Sequence, residues 1–241
     1  MGSRIATLAL QDSVFSIAGA IESKGHQALG QDFGSRLGAA VLGLRISDDA
    51  NTAIGAGDVL IEFTQPEATM EHVRLAAQLK KAAVIGTTGL SDAQRAEVVQ
   101  AAKTIPMVLS PNMSVGVNLL FELVQAAAQR LGLGYEVEVV EAHHKAKLDR
   151  PSGTAKRLAE LLAGSRRQPI EKIPVHAIRA GDIVGDHTVI FAGPSERLEL
   201  THRAHSRDAF ALGALQAARF LAGKPPAKLY EMRDVLQEVI K

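Results

Sequence analysis

The rhythm of apolar and polar positions changes about half-way along the chain. Up to about residue 111, short continuous apolar runs alternate with segments of helical spacing. Residues 3–11 read as a short helix of Ile, Leu and Ala, and residues 14–21 as an apolar strand ending at Glu22. Residues 58–63 make a second strand, followed by Thr64-Gln65-Pro66, where Thr64 can cap a helix and Pro66 suits its first turn. Residues 82–85 are a third apolar run, entering Gly86-Thr87-Thr88-Gly89. Ser91-Asp92 then opens a helix to Lys103, and residues 106–109 supply a fourth strand. Continuous apolar strands separated by helices predict a parallel sheet covered on both faces.

Beyond Asn112 the pattern differs. Residues 115–131 read as one long helix closed by Gly132 and Gly134, and residues 136–141 alternate charged with apolar, as a strand with one wet face does. Residues 175–180, 187–192 and 197–203 predict further strands joined by Gly-rich turns. Helical spacing resumes over 208–222 and again after Gly223-Lys224-Pro225-Pro226. The expectation is an α/β chain with a Rossmann-like dinucleotide-binding domain and a smaller α+β domain carrying a mixed or antiparallel sheet.

Composition narrows the function classes. A net charge of +1 and 4% aromatic residues argue against nucleic-acid binding, which needs a basic face or a stacking platform. The absence of Cys removes disulfides, thiolate zinc sites and any thiol nucleophile. The first apolar stretch is too short for a signal-peptide core, and Ala6 misses the myristoylation pattern. Residues 104–121 are uncharged, but Pro106, Pro111, Asn112 and Asn118 interrupt them, which a membrane helix would not tolerate. A protein of a reducing cytoplasm is expected, with a small-molecule substrate and neither nucleic acid nor membrane as partner.

Two features point to a dinucleotide. Glu22 follows Gly2 by twenty positions, the interval at which an acidic residue takes the ribose hydroxyls. Gly86-Thr87-Thr88-Gly89 lies at a strand end, where small residues let backbone approach a ligand. Taken singly, each also reads as a polar strand end or an ordinary turn. The glycine fingerprint that should precede the first helix is absent. Gly2 resembles the last glycine of such a loop, so a first strand and most of a phosphate cradle are expected upstream, with a start placed late or a trimmed chain as the reason.

The densest chemistry lies in Glu141-Ala142-His143-His144-Lys145-Ala146-Lys147-Leu148-Asp149-Arg150-Pro151-Ser152-Gly153-Thr154-Ala155. Histidines and basic residues follow a strand end, and Ser152-Gly153-Thr154 opens a helix whose amides and dipole favour an anion. Lys and His add charge and a titrating donor, which fits a small anionic substrate that needs a proton. The plainer alternative is a solvated basic loop with Ser152 as a helix cap. No metal site is expected, because the adjacent His143 and His144 diverge and no third ligand stands at the right spacing.

This run resembles the signature of the 4-hydroxy-tetrahydrodipicolinate reductase family (dihydrodipicolinate reductases) of the diaminopimelate route to lysine. The resemblance extends in order through Ile61-Glu62-Phe63-Thr64-Gln65-Pro66-Glu67, with Glu62 where the family has Asp, through Gly86 to Leu90 and Ser110 to Asn118, and through Arg179-Ala180-Gly181-Asp182-Ile183-Val184-Gly185 and Met232 to Leu236. It implies a reductase taking hydride from NADH or NADPH and releasing tetrahydrodipicolinate and water. By matching position, His143 would be the general acid/base and Lys147 the proton donor. His144, Ser152, Gly153 and Thr154, with Arg207, would hold the substrate carboxylates. Gly86, Thr87 and Thr88, with Ser110, Pro111, Asn112 and Met113, would line the nicotinamide side, and Glu22 the ribose.

The resemblance also implies a homotetramer built by the second domain. The domains would then be 1–114 with 224–241, which bind cofactor, and 115–223, which bind substrate and assemble. Where some members carry arginines that would contact a 2′-phosphate, this chain has Ser23 and Gln65, which tilts the expectation mildly toward NADH. A thioester-forming dehydrogenase of similar domain order is excluded by the lack of Cys. A catalytically silent assembly protein of the same fold remains the alternative, supported by the missing glycine loop.

Overall fold

The computed structural model describes residues 1–226 and 228–238. In chain order the elements are α1 (Gly2–Ala9), α2 (Phe33–Arg36), α3 (Ala50–Ala56), β1 (Val59–Glu62), α4 (Pro66–Leu79), β2 (Ala82–Ile85), α5 (Asp92–Ala101) and β3 (Met107–Leu109). There follow α6 (Val115–Leu131), β4 (Glu136–His143), α7 (Gly153–Arg166), β5 (Val175–Arg179), β6 (Asp186–Ala192), β7 (Arg197–Arg203), α8 (Asp208–Leu221), β8 (Leu229–Tyr230) and α9 (Met232–Glu238). The chain divides into two compact units, one of Met1–Met113 with the segment from Phe210 onward, the other Ser114–Ala209. The return to the first unit thus comes within α8, earlier than the Pro-rich turn at residue 224. Among the described residues no helix is long and apolar enough to cross a membrane.

The first unit is organised on a parallel sheet in the order β1-β2-β3-β8. Every residue of β2 is buried, as a strand covered on both faces must be. Ala83, Ile85 and Met107 pack with Met70, Val73 and Ala76 of α4 and Val98 of α5 in one apolar cluster. Each large aliphatic side chain so buried contributes about 1.5–3 kcal/mol. Ser91 and Gln94 close a reciprocal capping box on α5. At the head of α4 the cap is Gln65, with Pro66 in the first turn, so Thr64 is not the capping residue; its hydroxyl turns instead to the backbone O of Gln65 and to Thr69.

The expected strand over 14–21 does not form. Only Ile21 makes an isolated parallel bridge, to Ser47, and Gly19 lies so close to α3 that a Cβ there would stand 2.7 Å from the Ala53 carbonyl oxygen. An apolar run becomes a parallel strand only when a neighbour offers a ladder. Among the described residues, 14–20 meet no strand.

In the second unit the sheet order is β5-β4-β6-β7, with β4–β5 parallel and β4–β6 and β6–β7 antiparallel, the mixed sheet that the pattern predicts. Val137 and Val139 of β4 and Val189 and Phe191 of β6 point to one face, where Leu120 and Val124 of α6 and Leu158 and Leu162 of α7 cover them. Helix α6 spans the residues read from the sequence and is capped by Ser114, whose side chain accepts from the Val117 N–H.

Candidate active site

The period of two along β4 places Glu141 and His143 on the same covered face as Val137 and Val139. The register supplies their neighbours. Arg179 at the end of β5 stands opposite His143, and His187 on β6 stands opposite Glu141. The carboxylate of Glu141, whose side chain is 0% exposed, accepts a bidentate pair of hydrogen bonds from Arg179, each 2.8 Å. It also accepts from His143 Nδ1 at 2.5 Å and from the Ser152 backbone N–H at 3.1 Å. One buried carboxylate therefore ties together a strand end, its neighbour strand and the head of α7.

The same guanidinium fastens the intervening loop, donating to the carbonyl oxygens of Lys147 and Asp149. Ser152 caps α7 by accepting from the Ala155 N–H, and its hydroxyl lies 3.3 Å from His187 Nε2. The rings of His143 and His187 meet edge to face, 5.1 Å between centroids. Lys147 and Asp149 form an ion pair at 2.8 Å, so the loop's lysine has a carboxylate beside it.

Electrostatics follow from this packing. Burial by itself would push the Glu141 carboxyl up, but hydrogen bonds from Arg179, His143 and Ser152 hold it below the ordinary carboxylate range. Burial pushes the His143 imidazole down; Glu141 opposes that, while Lys147 and Arg179 add to it. Because an ionised carboxylate only accepts, His143 carries a proton on Nδ1, and Nε2 is the nitrogen that exchanges one. That nitrogen faces Gly185, where a Cβ would stand 3.1 Å away, so the glycine leaves room beside it.

Of the residues expected in the first unit, Gly86, Thr87 and Thr88 and Ser110 to Met113 follow the carboxyl ends of the adjacent parallel strands β2 and β3, the edge where open α/β sheets bind ligands, whereas Gly2 opens α1 and Glu22 and Ser23 follow no strand of the sheet. Glu62, Ile85 and Leu109 are in register, so the chain leaves the three strands at Phe63, Gly86 and Ser110, side by side. Glu62, 2% exposed, accepts from His72 Nδ1 at 2.6 Å and from the Thr64 N–H at 2.9 Å. The hydroxyls of Thr69 and Thr87 are 2.8 Å apart, joining α4 to the glycine-threonine loop. Gly86 lies under Phe63, whose ring a Cβ would meet at 2.2 Å, and Gly89 takes φ +81, so both glycines are required by geometry. Ser110 Oγ donates to the Asn112 carbonyl oxygen at 2.7 Å, while Met113 is buried. Glu22 accepts from the Ser23 N–H at 2.8 Å and from its hydroxyl, and the first of these bonds is the main cause holding its carboxyl down. This leaves Glu22 an anion with lone pairs free for hydroxyl donors. Gly2 opens α1, and a Cβ there would meet nothing within 4 Å.

A family profile described as dihydrodipicolinate reductase, N-terminus, matches residues 1–113, and its C-terminal counterpart matches residues 116–236. The chain belongs to the dihydrodipicolinate reductase family. It is 46% identical to the 4-hydroxy-tetrahydrodipicolinate reductase of Anaeromyxobacter dehalogenans strain 2CP-1, over 98% of this chain and 93% of that one. It is 44% identical to the reductase of the same name from Ralstonia nicotianae, over 98% of this chain and 95% of its relative. A solved dipicolinate-bound dihydrodipicolinate reductase from Paenisporosarcina sp. TG-14 shares the fold, with a TM-score of 0.78 at 22% identity, over 95% of this chain and 92% of the other.

Within this dihydrodipicolinate reductase chain, His143, Lys147, Ser152 and Gly153 gather around the head of α7 and the loop before it. His144 is half-buried on that loop, and Thr154 is half-buried in the first turn of α7. Arg207 is exposed just before α8 and, among the described residues, takes no part in the Glu141 network. Sequence reasoning left out Glu141, Arg179 and His187 as site residues. Glu141 was visible as the buried-face partner of His143 two residues on. Arg179 opens one of the matched motifs and His187 has no local signal, but neither could be paired with Glu141 from the sequence, since only strand register brings them there.

Proposed function

We propose that this chain reduces 4-hydroxy-tetrahydrodipicolinate to tetrahydrodipicolinate and water, with NADH or NADPH as hydride donor. The observation that carries the reading is the Glu141 carboxylate, which fixes the His143 imidazole and the Ser152 amide at once. An acid/base group and a helix head suited to a carboxylate are thereby held in fixed relation, as a dicarboxylate substrate that needs a proton requires.

His143 acts as the acid/base group through Nε2. Lys147 donates the proton once a substrate carboxylate competes with Asp149 for its charge. The amides of Gly153 and Thr154, with His144 and Arg207, take the carboxylates. The hydroxyl leaves as water, and the proton that completes it comes from these side chains.

The residues of the first unit fit a dinucleotide. Glu22 offers lone pairs to ribose hydroxyls, and Gly86, Thr87 and Thr88 with Ser110, Pro111, Asn112 and Met113 line the strand ends where a nicotinamide would lie. The head of α1 at Gly2 would offer its amides to the diphosphate. NADH or NADPH, when bound, supplies the hydride. Ser23 and Gln65 offer no cation to a 2′-phosphate, so NADH is the preferred donor, and the working form is a homotetramer in the cytoplasm.

Steady-state oxidation of each nucleotide, followed at its near-ultraviolet band with enzymatically generated substrate, tests the reading. A lower KM for NADH is expected, and Q65R narrows the gap. Absence of turnover with both nucleotides overturns the proposal, and equal or reversed KM values overturn the preference.

A further inference from the structure

His187 has no part in the family signature read above, yet it is 3% exposed and stands opposite Glu141 in the sheet. The Ser152 hydroxyl oxygen already accepts from the Ala155 N–H at 3.2 Å, so its hydrogen needs an acceptor, and His187 Nε2 at 3.3 Å is that acceptor. The ring proton must then sit on Nδ1, which is buried and, among the described residues, has no hydrogen-bond partner. The other tautomer would leave both the Ser152 hydrogen and the Nδ1 lone pair unmatched, a worse arrangement for buried groups. Gly185 makes room for both rings, since its Cβ would stand 3.1 Å from His143 Nε2 and 3.7 Å from His187 Cε1.

We propose that His187 is a positioning residue of the site: it accepts the Ser152 hydroxyl proton at Nε2 and holds the His143 ring edge-on. One imidazole on β6 thereby sets both the cap of the helix that receives a carboxylate and the aim of the acid/base group. A charged His187 would donate at both nitrogens and leave the Ser152 hydroxyl hydrogen without its acceptor. Its surroundings prevent that: burial first, then the charges of His143, His202 and Lys147, push it down to about 3, with Glu141 alone opposing. The proposal deepens the reductase reading, and only its kinetic arm rests on that reading.

The test uses the full chain and two substitutions. H187Q places an amide oxygen near the Nε2 position, whereas H187N is too short to reach it. Long-range proton–nitrogen correlation spectra of the wild-type imidazoles should show His187 with a bare Nε2 and a protonated Nδ1 from about pH 8 to about pH 5. In H187N, the Kd for dipicolinate as a dicarboxylate probe and the KM for substrate should each rise about tenfold, while H187Q stays within about twofold of wild type. The acid limb of kcat should move up toward the ordinary imidazole range in H187N, because water admitted beside His143 relieves its burial, and should stay in place in H187Q.

An Nε2–H tautomer, a His187 titration above about pH 5, or an unchanged dipicolinate Kd in H187N would each overturn the proposal. The spectra decide it even where a substitution fails to fold. A wild-type chain that shows the tautomer and the H187N binding deficit but reduces nothing would uphold His187 as a positioning residue and sink the reductase reading.

Discussion

Replacing Glu141 by Gln preserves the shape of the side chain and removes the charge that Arg179 and His143 share. Both partners of the ion pair are enclosed, with side chains 0% and 1% exposed, and two 2.8 Å bonds join them. Removing one partner of a buried pair leaves the other charge uncompensated, a loss of about 3–5 kcal/mol. The amide oxygen of Gln still accepts one hydrogen bond, so the lower end, about 3 kcal/mol, is the expected value for E141Q.

With a urea dependence of about 2 kcal/mol per molar, that loss lowers the unfolding midpoint by about 1.5 M. Circular dichroism in urea near neutral pH reads it directly. The folded-state carboxyl is held below its ordinary range, so its stabilisation is present above about pH 4.5 and disappears as pH falls through the folded value. Wild type and E141Q should therefore converge in acid. Without the carboxylate nothing raises His143 against burial, and the acid limb of kcat should move to lower pH. The double variant E141Q/R179M should regain stability but not turnover, because an apolar replacement of a buried pair is often neutral for folding. A single variant within about 0.5 kcal/mol of wild type, with its acid limb unmoved, would refute the account of the network.

Two further outcomes follow from the packing. His187 is pushed down to about 3 in the folded chain against an ordinary value of 6.5, so the unfolded chain takes up the proton first; the stability it contributes is present above 6.5 and falls with pH, by up to about 2 kcal/mol between pH 6.5 and about pH 5. H187Q should flatten that part of the stability curve, and an unchanged slope in urea titrations would count against a buried neutral imidazole. Gly213 of α8 lies so close to Met113 that a Cβ would stand 1.7 Å from its carbonyl oxygen; G213A should lose about 3 kcal/mol or more, seen as a lowered unfolding midpoint, and near-wild-type stability would contradict the packing.

Much of the secondary structure was legible because its causes are local. A run such as 82–85 is apolar at every position because both faces of β2 are covered, and 115–131 repeats at helical spacing because α6 buries one stripe. Ser152 and Ser91 announced helix starts because a cap acts on amides two or three residues away. Residues 14–21 had the same apolar character as β2 yet form no strand, since a ladder needs a neighbour that composition does not encode. The two-residue β8 was illegible because so short a pairing leaves no periodicity to read.

The site divides along the same line. The sequence by itself determined the chemical inventory: the histidines, lysines and Ser-Gly-Thr of one loop, the glycine-threonine turn, and through them the family. Which guanidinium neutralises Glu141 and which imidazole stands beside the Ser152 cap were decided only by the tertiary structure. Arg179 and Glu141 are 38 residues apart in the chain, and Ser152 and His187 are 35 apart. The register of β5 and β6 on β4 closes those distances, and register is a property of paired strands that no single segment carries.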